Sequence, residues 1–89
     1  MATVHLYIKG KVQGVYYRAT AKEMADKIGI KGWVKNTEKG WVELVASGTV
    51  KQLEVFTAWC HEGPQGAEVT EVVSEDFEET SFDSFSIVR

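Results

Sequence analysis

An α+β sandwich in the order β-α-β-β-α-β, closed by a short extra strand, is what this sequence predicts. Three observations predict it. Apolar residues alternate with polar ones at the start of the chain, again on both sides of Thr37 to Gly40, and again near the end. Between these runs lie two segments with apolar residues at helical spacing. The chain has 89 residues, enough for one domain, 1–89, and one core that all these elements must share.

Thr3 to Lys9 sets Val4, Leu6 and Ile8 against Thr3, His5, Tyr7 and Lys9, the pattern of a half-buried strand. Ala21, Met24, Ala25 and Ile28 then recur at i, i+3, i+4 and i+7, and Gly29 suits a left-handed helix cap. The start of this helix has two readings. Thr20 with Glu23 resembles a capping box, yet Tyr17 or Arg18 suits the first turn equally well. Ile30 to Asn36 reads as a second strand and Trp41 to Ala46 as a third, with Val42, Leu44 and Ala46 on one face. Thr37-Glu38-Lys39-Gly40 joins them as a tight hairpin connection.

Thr49 and Gln52 make a second capping-box pattern. Leu53, Phe56 and Cys60 share the helical face that follows, with Trp59 at its edge, until Gly63-Pro64 stops it. Glu68 to Ser74 has β-branched residues, but Val69 and Val72 do not share one face. That asks for a bulge or an irregular edge. Glu75 to Glu79 reads as a solvated acidic loop, and Phe85 with Ile87 as a short final strand. The compact solution is an antiparallel sheet with both helices on one face, the ferredoxin-like arrangement with right-handed crossovers.

Composition narrows the function. The net charge of -3 disfavours nucleic acid, whose binders are normally basic. No apolar run approaches the roughly 20 residues of a membrane span, and no signal-peptide pattern precedes the first strand. Cys60 is the single cysteine, so neither an internal disulfide nor a cysteine metal cluster can form. A soluble monomer in a reducing cytoplasm is the expectation. His5 and His61 read as surface histidines, Cys60 as a small core residue, and Trp33, Trp41 and Trp59 as packing residues.

The chemistry concentrates in Gly10-Lys11-Val12-Gln13-Gly14-Val15-Tyr16-Tyr17-Arg18, between the first strand and the first helix. A loop there turns backbone N–H groups toward one point beside the positive end of a helix dipole. Gly14 supplies the positive φ such a turn needs. Arg18 adds a guanidinium fork suited to phosphate oxygens. One of Tyr16 and Tyr17 packs in the core while the other shields the site; the sequence does not choose between them.

At these residues the chain resembles an acylphosphatase. Gly10-x-Val12-Gln13-Gly14-Val15-x-Tyr17-Arg18 matches that family's first signature. Gly32-Trp33-Val34-Lys35-Asn36, followed by Gly40, Val42 and Gly48, matches the second. Gly63-Pro64 and Phe85-Ser86-Ile87 extend the likeness over the whole chain. The resemblance implies hydrolysis of the carboxyl–phosphate bond of acyl phosphates. It further implies that Arg18 and the amides of Gln13, Gly14, Val15, Tyr16, Tyr17 and Arg18 hold the phosphoryl group, and that Asn36 holds the attacking water. It implies no metal and no organic cofactor.

Those residue types suit that chemistry. An acyl phosphate already has a good leaving group, so positioning and charge stabilisation carry the reaction. A carboxamide at position 36 offers both an acceptor and donors to a water. A carboxylate there would be repelled by the phosphate. Two other readings keep the same architecture. An RNA-recognition-type βαββαβ domain would want a basic, aromatic sheet face, which the acidic balance opposes. A non-catalytic anion-binding relative would retain the cradle without turnover.

Overall fold

The computed structural model describes residues 1–88. The elements run β1 (Ala2–Lys11), α1 (Tyr17–Ile28), β2 (Lys31–Asn36), β3 (Val42–Gly48), α2 (Val50–Glu62), β4 (Glu68–Asp76) and β5 (Phe85–Ile87). The sheet order is β4-β1-β3-β2-β5. The four longer strands pair antiparallel, as the element order requires. The short β5 instead joins β2 in parallel, so the sheet is mixed. No local pattern in Phe85-Ser86-Ile87 sets that direction. It follows from the long return path after β4.

Alternation decides which face of each strand is covered. Leu6 and Ile8 of β1, Val34 of β2 and Val42, Leu44 and Ala46 of β3 are fully buried with Ala21, Ala25, Leu53, Phe56 and Cys60 from the helices. That core is where the fold gains most of its stability, since apolar burial is the dominant favourable term. The opposite sheet face carries His5, Tyr7, Trp33 and Trp41, which pack ring against ring at centroid distances of 4.7–6.4 Å. His5 is therefore not a free surface histidine. Its ring lies 2.7 Å from a carboxylate oxygen of Glu43. Trp59 stacks against Phe56 and packs at a tilt against Tyr17 at the edge of the core.

Helix ends follow the chemistry of their neighbours. Thr49 caps α2 as expected, with reciprocal bonds to Gln52. The Gln52 amide also donates to the Ile28 carbonyl at 3.1 Å, so one side chain finishes α1 while starting α2. The helix α1 begins at Tyr17, not at a Thr20 box: the Thr20 hydroxyl instead donates back to the Tyr16 carbonyl.

The irregularity foreseen in β4 is a bulge. Lys9 pairs with Glu71 and Gly10 with Val69, which leaves Thr70 as the extra residue. Gly10 has φ 123, and a Cβ there would lie 2.1 Å from the Glu68 carbonyl oxygen. Glu75 and Asp76 lie in β4 opposite His5 and Val4, so only the rest of the acidic run is loop. That loop is tied down where Phe77 and Thr80 donate to Thr3.

Candidate active site

The first strand ends at Lys11, and Val12 anchors the chain in the core with 1% exposure. From there the loop must turn into α1 within four residues. Two positive φ values accomplish it: Gly14 at 75 and Tyr16 at 63. An added Cβ on Gly14 would meet no atom within 4 Å, so glycine is needed there for its backbone conformation and not for space. Tyr16 serves as the N-cap of α1, and no side chain caps the helix. No acidic residue sits in its first turn. The opening N–H groups and the positive dipole end therefore face the loop without a built-in anion.

A cavity of about 390 Å³ lies at this point, lined by Val12, Gly14, Tyr16, Tyr17, Arg18, Ala19, Asn36 and Ile87. Arg18 and Asn36, 18 positions apart in sequence, thus share one concavity. Arg18 is half-buried and pairs with no carboxylate among the described residues. Asn36 is the last residue of β2, paired with Val42, and alternation puts its side chain on the helix side with Val34. Its Oδ1 is buried with no hydrogen-bond partner among the described residues. A buried acceptor without a donor costs about 1–3 kcal/mol, and a donor brought into the cavity would relieve that.

The structure separates the two tyrosines. Tyr17 is 1% exposed, and its hydroxyl donates to the Cys60 carbonyl at 2.7 Å. Burial, with Cys60 beside it, holds its phenol far above the ordinary range. Tyr17 therefore gives its ring to the core and its main chain to the site. Tyr16 is 83% exposed and stands at the cavity. Burial also pushes the Cys60 thiol up to about 12, with the nearby Tyr17 hydroxyl acting weakly against it.

Gln13 and Val15 lie in the loop but not in the cavity wall. The Gln13 side chain donates to the carbonyls of Thr37 and Trp41 at 2.9 and 2.8 Å. It ties the loop to the hairpin that carries Asn36. Val15 packs against the core. Three wall residues escaped the sequence reading: Val12, Ala19 and Ile87. Val12 was legible as a motif residue without a role in the site, and Ala19 only as the residue after the motif. Ile87 reaches the site because β5 pairs with β2, Val34 opposite Ile87, and no local pattern announces that.

Among the described residues the cavity wall contains no histidine and no carboxylate. Among the described residues no group of three His, Cys, Asp or Glu side chains could hold a metal ion, and no helix is long and apolar enough to cross a membrane. A cavity that gathers Arg18, the uncapped start of α1 and the unpartnered Asn36 Oδ1 suits an oxyanion beside a small donor such as water.

Comparisons with known proteins place the chain in a family. The sequence description of the acylphosphatase family matches residues 4–87. An acylphosphatase of Marinobacter nauticus is 49% identical over 76 residues, 85% of this chain and 83% of the relative. The crystal structure of acylphosphatase from Bacillus subtilis superimposes with a TM-score of 0.96 at 32% identity, covering 100% of both chains. An acylphosphatase structure from Coxiella burnetii gives 0.94 at 36% identity, covering 98% of this chain and 92% of that one.

Proposed function

This chain belongs to the acylphosphatase family and hydrolyses the carboxyl–phosphate bond of small acyl phosphates, and we propose from that premise how its residues share the work. The single observation that carries the proposal is the unpartnered Asn36 Oδ1 in the same cavity as Arg18 and the uncapped start of α1.

Arg18 and the main-chain N–H groups of the 13–18 loop bind the phosphoryl oxygens. Within that loop, Gly14, Tyr16, Tyr17 and Arg18 lie at the cavity, and the Gln13 side chain holds the hairpin in register. Asn36 accepts a hydrogen bond from the attacking water and aims its oxygen at phosphorus. As the water oxygen bonds to phosphorus, the bond from phosphorus to the acyl oxygen breaks, and a carboxylate leaves with the electron pair. Positioning and oxyanion stabilisation are the sources of acceleration. The water's proton passes to a phosphoryl oxygen of the substrate, since the described residues of the cavity wall offer no protein base.

The same reading treats residues 1–89 as one domain that works as a cytoplasmic monomer, without metal or organic cofactor and without a nucleic-acid or membrane partner. The test separates the two side chains. Arg18→Ala weakens inhibition by inorganic phosphate together with turnover, whereas Asn36→Ala lowers turnover and spares phosphate inhibition. The opposite split would overturn the assignment.

A further inference from the structure

We infer that Tyr16, together with Ile87, forms an acyl-group subsite, and that it selects acyl phosphates with an aromatic or bulky aliphatic acyl group. The inference rests on the functional reading above and extends it from the phosphoryl end of the substrate to the other end.

Tyr16 is anomalous in two independent ways. It is the one non-glycine residue with positive φ among the described residues, at φ 63 and ψ 25. For a bulky aromatic that conformation is an outlier, and outliers of this kind gather at functional sites. Glycine or asparagine would adopt it more readily. The ring does nothing for the fold, because Tyr16 is 83% exposed and its side chain has no hydrogen-bond or aromatic partner among the described residues. The site cavity is what Tyr16 does line.

Ile87 supplies the second observation. It is 38% exposed, lines the same cavity, and comes from a different element. The wall therefore divides by chemistry. Gly14, Arg18 and Asn36 offer polar groups, while Tyr16, Ala19 and Ile87 offer apolar surface. A volume of about 390 Å³ falls in the range of small-molecule sites, roomier than a phosphoryl group alone requires. In-line attack sends the leaving carboxylate away from the water held at Asn36. The acyl group then needs apolar surface elsewhere in the cavity, and Tyr16, carried by the loop and not by β2 or its neighbour β5, offers it.

A second negative charge on the acyl group would find no further cation among the described residues there. Among the described residues Arg18 is the one cation in that wall. Lys35 and Lys39 line a separate cavity on the open sheet face, where Lys35 faces Glu43 and Trp33 and Lys39 lies over Trp41.

The experiment compares kcat/KM for benzoyl phosphate and acetyl phosphate in the native chain, Tyr16→Phe, Tyr16→Gly and Ile87→Ala. The ratio of the two cancels any change in the phosphate cradle, which both substrates share. Tyr16→Gly suits the left-handed backbone and deletes the ring, so the benzoyl-to-acetyl ratio falls by about tenfold. Ile87→Ala lowers it in the same direction, and Tyr16→Phe keeps the native ratio. A native ratio in Tyr16→Gly overturns the inference while leaving acyl phosphate hydrolysis intact. Failure of the native chain to hydrolyse either substrate overturns the functional reading, and the inference falls with it.

Discussion

Arg18 and Asn36 carry different kinds of energy, and their variants should separate accordingly. Removing a preorganised donor from a forming oxyanion costs about 10²–10³ in rate. Arg18→Ala should therefore lower kcat/KM by about that factor and weaken competitive inhibition by phosphate in the same variant. Asn36→Ala should lower kcat by about 10², the scale of a misplaced nucleophile, with phosphate inhibition retained. Steady-state kinetics with phosphate as inhibitor check both. The sequence showed Arg18, Gly14 and Asn36 because their chemistry sits in local motifs. It did not assign Tyr16 and Tyr17, since both are aromatic and adjacent. The turn at φ 63 sends the first to solvent and the second into the core. Gln13 is the opposite lesson. It stands inside the motif, yet its side chain spans 24 and 28 positions to the hairpin, a contact invisible along the chain.

Between the residue and the fold, the loop works only if β1 delivers it correctly, and the bulge at Gly10 is part of that delivery. Gly10→Ala would place a Cβ 2.1 Å from the Glu68 carbonyl oxygen and 2.8 Å from the Thr70 nitrogen, at φ 123. Both neighbours are backbone, so neither can rotate away. The substitution should cost about 2–4 kcal/mol of stability, measured as the shift in urea midpoint, and lower activity by loosening the cradle beside it. An unchanged midpoint would mean that β4 can give way without consequence. The bulge was legible in the clash of period between Val69 and Val72, whereas its site was not, because the partner register is a long-range fact. Helix ends show the same division. The Thr49 and Gln52 box is local and was readable; the start of α1 reads two ways, as a Thr20 box or as a first turn at Tyr17 or Arg18, and the helix begins at Tyr17 with no side-chain cap to announce it.

At the scale of the whole molecule, β-α-β-β-α-β order and one core were readable because periodicity and chain length leave few compact solutions. The parallel seat of β5 was not, and with it went Ile87. The buried Tyr17 and Cys60 pair also acts on the molecule as a whole. Burial raises the Cys60 thiol from its ordinary 9.0 to about 12, and raises the Tyr17 phenol from 10.0 in the same direction. The folded state thus keeps protons that the unfolded chain releases first. Stability is complete below about pH 9 and falls as pH rises toward 12, by about 1.4 kcal/mol per pH unit for each such group. Urea midpoints should decline through that window in the native chain and decline less in Cys60→Val; a flat profile would contradict the burial of the pair. The most direct measurement of the central claim is benzoyl phosphate hydrolysis by the native chain and Asn36→Ala, each with and without EDTA. The account predicts fast hydrolysis that EDTA leaves unchanged and that collapses in Asn36→Ala while the variant still binds inorganic phosphate. Full turnover in Asn36→Ala, or loss of native turnover to EDTA, would contradict it.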